Sequence, residues 1–127
     1  MYKTALVERD LSQGEEIVRI LDEAGLRVKV ALWVNLDEFN DWRLVLASKE
    51  FDKAGPREKY GLLHRVLEGA GIPYERTPVF MILRMDEPFI RDLRRIFGKA
   101  ASVEGMRLGG QTIGGRGLDD AYVYRIS

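Results

Sequence analysis

The stretch Arg27–Ser48, RVKVALWVNLDEFNDWRLVLAS, decides the fold. It reads as two β-strands, RVKVALWVN (27–35) and WRLVLAS (42–48), joined by the acidic loop LDEFND (36–41). Side chains alternate along a strand, so Val28, Val30, Leu32 and Val34 share one face, with Lys29, Ala31, Trp33 and Asn35 on the other. In the second strand Trp42, Leu44 and Leu46 oppose Arg43, Val45 and Ala47. The fully apolar faces need helices over them. The second faces carry Ala31, Trp33, Val45 and Ala47, which are wrong for the polar side of a half-solvated sheet. Another segment or a second copy of the chain is expected to cover them. Ala31, Trp33, Val45 and Trp42 are therefore the expected interface of a homo-oligomer, since tryptophan combines large area with a polar tip; the competing reading makes them plain core. A one-residue slip would carry Lys29 and Arg43 inward, so the register is well specified.

Upstream, Val7, Leu11, Val18 and Leu21 recur at helical spacing with Gly14 in the remaining slot, which predicts a helix over Thr4–Ala24 closed by Gly25. Ser12 and Glu15 form a possible capping box that would start it later. Downstream, Lys49–Ala54 reads as a polar connector. Gly55-Pro56 opens a second helix with the stripe Tyr60, Leu63, Leu67 and Ala70, ended by Gly71. Ile72–Thr77 reads as a loop. Pro78–Met85, apolar on both faces, is expected to be a central strand. Asp86 is the expected cap of a third helix with Pro88 in its first turn, a buried stripe of Phe89, Leu93, Ile96 and Phe97, and Gly98 as its stop. In the tail, SVEGMRL and DAYVYRI are strand-like, flanking a glycine-shaped loop, Gly109–Asp120.

The fold class is therefore α+β: one mixed or mainly antiparallel sheet with packed helices, in the order αββαβαββ, as a single globular domain over 1–127. Net charge is zero and the pI is 6.6, so no global field draws the chain to nucleic acid or anionic lipid. The absence of cysteine excludes disulfides and thiol chemistry and fits a cytoplasmic location. There is no apolar signal core and no membrane-length apolar run, so no membrane partner is expected.

No catalytic motif is found, and no cofactor or metal is implied. Gly110–Gly117 (GQTIGGRG) is two substitutions from a phosphate-binding loop, but a strand-like segment follows where a helix is required. A weaker anion nest survives there, with Arg107, Arg116 and Asp119 as candidate ligand-binding residues. His64 is the only histidine, which rules out a multi-histidine metal site within one chain, and it reads as a helix-boundary residue satisfied by a neighbour. No lysine has an acid two residues before it, which counts against a D/E-x-K nuclease. Arg91, Arg94 and Arg95 form a stripe on the third helix, away from its apolar face. They are the candidate contacts if the chain binds nucleic acid, against the simpler reading of a solvated helix face. The leading expectation is a small interaction or regulatory module that self-associates through its sheet, with nucleic-acid or phosphate-ligand binding as the alternatives.

Overall fold

The computed structural model describes residues 5–100 and 102–127. Its elements are helix α1 (Glu8–Glu23), strands β1 (Val30–Leu36) and β2 (Arg43–Ala47), the short helix α2 (Lys49–Asp52), helix α3 (Glu58–Gly69), a 3-10 turn (Tyr74–Arg76), strand β3 (Phe80–Ile82), helix α4 (Pro88–Phe97), and strands β4 (Arg107–Ile113) and β5 (Arg116–Ile126). They build an α+β fold around one mixed sheet in the order β3-β2-β1-β5-β4. Strand β1 runs antiparallel to β2 and β5, β4 antiparallel to β5, and β3 parallel to β2.

All seven residues of β1 are buried, so both faces of the sheet need a cover, and the chain supplies both. Val30, Leu32, Val34 and Leu36 pack with Phe89, Ile90 and Leu93 of α4. Ala31 and Trp33 pack on the opposite side with Ile17, Val18 and Leu21 of α1 and Leu63 and Leu67 of α3. The layers are thus α4, sheet, and α1 with α3.

The pairing Leu32↔Val45 and Trp33↔Leu44 corrects the expected face grouping. Directly paired residues lie on the same face, so Val45 and Ala47 join Val30 and Leu32 under α4 while Leu44 and Leu46 join Trp33. Val28 also changes side, because Arg27 has φ 48° and the strand begins only at Val30. Ala31 and Val45 are fully buried and Trp33 is 3 % exposed, while Trp42 is half-buried against the α1/α3 cluster. The chain's own helices therefore occupy the surface expected to serve as an oligomer interface.

Other boundaries move for local reasons. Helix α1 begins after the N-cap Val7 rather than at Ser12, and the earlier expected start, Thr4, lies outside the described residues. The supposed connector after β2 contains α2, because Ser48 Oγ accepts a bond from Phe51 N (3.0 Å) and Phe51 is fully buried. Glu87, not Asp86, caps α4, its Oε2 accepting from Phe89 N at 2.7 Å. Strand β3 is an edge strand, not a central one. It read as central because Phe80 and Ile82 meet the α1/α3 cluster while Met81 and Leu83 meet the α4 cluster.

The two strand-like segments of the tail form a hairpin, β4 with β5. The β1–β5 register slips at two places, leaving Asp119 and Tyr124 as the extra residues of β-bulges. The second slip turns Tyr124 toward α1, where its hydroxyl donates to Leu11 O (2.6 Å) and accepts from Trp33 Nε1 (2.9 Å). The ring passes over the buried Gly14, so a Cβ there would lie 2.7 Å from Tyr124 Cζ. Gly14 thus leaves room for the Tyr124 ring.

Glycine to alanine inside a helix normally stabilises by about 1 kcal/mol. Gly14→Ala is expected to do the opposite in denaturant unfolding, because it displaces a ring held by two hydrogen bonds. In a Tyr124→Leu background the penalty should largely vanish; an equal penalty in both backgrounds would contradict this packing.

Candidate functional site

Burial of Phe89, Ile90 and Leu93 fixes the rotation of α4. It leaves Arg91 and Arg95 exposed, with Arg94 at the border, as their three- and four-residue spacing requires. Beyond Gly98 the chain adds Lys99. Arg91, Arg94, Arg95, Gly98, Lys99 and Ser127 line a shallow cleft of about 390 Å³. Among the described residues no carboxylate side chain lines it. Arg94 Nε donates to Ser127 O (2.8 Å), and Arg95 pairs loosely with Asp92 (3.6 Å). The three arginines named from the sequence are thus brought together, and Lys99 joins them. Cations also offset the negative C-terminal end of a helix, but that contribution is typically only about 0.3–1 kcal/mol each.

The glycine segment is not an open loop. Strands β4 and β5 stay paired up to Ile113↔Arg116, and Gly114 and Gly115 make the turn with φ of 55° and 82°, values suited to a tight type I′ hairpin. Gly114 packs onto the start of α4, where a Cβ would come 2.5 Å from Phe89 Cα, and its N–H is taken by Asp92 Oδ2 (3.1 Å). Arg116 is held by Glu38 (2.6 Å) and Glu87 (3.2 Å). The neighbouring cleft, about 360 Å³, presents Asp37, Glu38 and Glu87 around that single arginine. An incoming anion would meet a filled amide, a committed guanidinium and three carboxylates.

Arg107, Arg116 and Asp119 are not assembled into one site. Arg107 lies at the pair Arg107↔Tyr122 and Arg116 at Ile113↔Arg116, six residues and roughly 20 Å apart along the ladder at strand rise. Arg107 pairs with Asp120 (2.5 Å), and Asp119 sits exposed at its bulge.

His64 lies within α3, beside Leu63, but the expected satisfying neighbour is absent: its buried Nδ1 has no hydrogen-bond partner among the described residues. Such an unmet polar atom costs about 1–3 kcal/mol. Its ring packs against Tyr74 and Phe80, with centroids 4.8 and 5.7 Å away. Together with Tyr60, Glu75, Thr77, Pro78 and Val79 they line a cleft of about 400 Å³. Sequence reading missed it because Pro73 and Pro78 mark the segment only as loop.

A wider cleft, about 730 Å³, lies between α1 and β5. Glu15, Glu16, Asp22, Glu23 and Glu104 line it alongside Arg19 and Arg125. Both arginines are engaged, Arg19 with Glu23 (2.9 Å) and Arg125 with Asp22 (2.7 Å). Tyr124 forms part of its wall. Burial pushes the Tyr124 phenol well above the usual tyrosine range, with the Trp33 hydrogen bond acting in the opposite direction. Among the described residues no group of three or more His, Asp or Glu is arranged to hold a metal ion, and no helix is long and apolar enough to cross a membrane.

Comparison with protein-family models, curated proteins and solved structures gives no match to this chain.

Proposed function

We propose that the protein is a cytoplasmic binding module that takes phosphate polyanions, of the kind a nucleic-acid backbone presents, in the cleft at the C-terminal end of α4. The observation that carries this reading is the convergence of Arg91, Arg94, Arg95 and Lys99 on one cleft that, among the described residues, no carboxylate side chain lines. Guanidinium groups match phosphate oxygens with two parallel donors, and lysine adds a point charge. Against an anion stand about half a negative charge at the C-terminal end of α4 and the existing partners of two of the four cations, Ser127 O on Arg94 and Asp92 on Arg95; Arg91 and Lys99 remain exposed. The chain's zero net charge does not argue against a local site. The acidic α1/β5 cleft lies on the opposite side of the sheet, and the carboxylates Asp37, Glu38 and Glu87 gather around Arg116 at the other end of α4, so the local field at the C-terminal end of α4 favours a polyanion.

Fluorescence anisotropy with labelled single-stranded RNA, duplex DNA and inorganic polyphosphate tests this and separates the sources of phosphate. For a duplex that engages all four cations, log K against log salt should fall with a slope of about −3 to −4. Replacing Arg91, Arg94, Arg95 and Lys99 together by alanine should abolish binding, while Arg19→Ala should leave it unchanged. Binding indifferent to the fourfold replacement, or a slope near zero, would contradict the proposal.

A second reading, self-association through the sheet, now rests on its edge rather than its faces. Strand β4 is the edge strand beside β5, with Arg107 and Gly109–Thr112 exposed, and an uncovered edge is a template for pairing. At the other edge, the outward backbone groups of Ile82 are occupied by Tyr60 Oη and Lys59 Nζ, each at 3.0 Å. Light scattering should then show a concentration-dependent dimer that Thr112→Lys weakens. A single monomeric mass at every concentration would remove this reading.

A further inference from the structure

We infer that the cleft between α3 and the Tyr74–Arg76 turn binds an organic cation of the quaternary-ammonium class. Among the described residues four rings line it, those of Tyr60, His64, Tyr74 and Phe80, with the single carboxylate of Glu75 and no cationic side chain. The rings do not stack flat. His64 is inclined 56° to Tyr74 and 69° to Phe80, with which it is in ring contact. Ring faces carry partial negative charge, and a methylated ammonium is attracted to several at once while shedding little hydration. Glu75 has no ion-pair or hydrogen-bond partner among the described residues and supplies the full charge that selects a cation over a neutral guest of the same shape. The volume, about 400 Å³, falls within the usual range for small-ligand sites.

Two further features set this cleft apart from ordinary surface. Tyr74 is 69 % exposed and Val79 45 %, so two large apolar side chains face water side by side. The segment that presents Tyr74 is nevertheless tied down. Arg76 N bonds Pro73 O (2.9 Å), Thr77 N and Oγ1 both bond Tyr74 O (3.1 and 2.7 Å), and Gln13 Nε2 reaches across from α1 to Arg76 O (2.6 Å). The backbone that carries the Tyr74 ring is thus fixed, which lowers part of the ordering cost of binding. Lys59 Nζ lies over the Tyr60 ring, 5.8 Å from its centroid, and is bonded to Ile82 O, so Tyr60 already faces one cation and the guest is left chiefly to His64, Tyr74 and Phe80. The site is on the opposite side of the sheet from the α4 arginines and does not depend on them.

The test is a titration followed by NMR, using tetramethylammonium chloride as the probe at constant ionic strength, with neopentyl alcohol as a neutral guest of similar shape. The account expects saturable shifts of the His64 and Tyr74 ring signals and an upfield shift of the probe methyl protons. Neopentyl alcohol should bind about tenfold more weakly, and Tyr74→Ala, at an exposed position that leaves the fold intact, should weaken the probe by a similar factor. Glu75→Gln should reduce the preference for the charged guest over the neutral one. The inference is overturned if the probe shows no saturation up to about 100 mM, a limit beyond even weak specific affinity, if the neutral guest binds as well as the cation, or if Tyr74→Ala changes nothing.

Discussion

Everything in this structure depends on a strand that has no side it can show to water. The seven residues of β1 are all buried, and both of its edges are paired, to β2 and to β5. A half-covered sheet would leave either the Val30–Leu32–Val34 face or the Ala31–Trp33 face in solvent. At roughly 1.5–3 kcal/mol for each large side chain buried, exposing Val30, Leu32 and Val34 alone would cost about 4.5–9 kcal/mol, which rivals the whole stability of a small domain. The chain closes one side with α4 and the other with α1 and α3. What remains for function is the outer surface of those helices, the loops between them and the sheet edges.

The candidate sites follow from that arrangement. Helix α4 turns its apolar stripe inward, so its arginines gather outward at the end where Lys99 and Ser127 meet them. Helix α1 sets an acidic surface beside β5, on the other side of the sheet. The 3-10 turn after α3 brings Tyr74 over His64 at the β3 edge. The glycine hairpin, which looks most like a ligand loop in the sequence, is a structural joint. Its Gly114 seats against the start of α4, and its Arg116 ties β5 to Glu38 and Glu87.

The local grammar of the fold was legible in the sequence: the Arg27–Ser48 hairpin, the glycine stop at Gly25, Pro88 in the first turn of α4, and the separation of Arg91–Arg95 from Phe89 and Leu93. What was not legible depends on distant partners. Which faces of β1 and β2 coincide is set by register, and alternation alone does not give Leu32↔Val45. Strand β3 looked central because burial on both faces hides an unpaired edge. The slips at Asp119 and Tyr124 exist only opposite β1, and Arg116 meets Glu38 from 78 positions away. The aromatic cleft escaped notice for the same reason, since Tyr60, His64, Tyr74 and Phe80 carry no common spacing and are joined only by the fold.

Amide hydrogen exchange along β1, measured at two protein concentrations far apart, tests the central claim most directly. If the chain's own helices cover both faces, the amides of Ala31–Leu36 should be among the slowest in the molecule, exchanging only through global unfolding, at a rate that dilution does not change. Protection of β1 that falls on dilution would mean that a second chain, not α1, α3 and α4, completes the core.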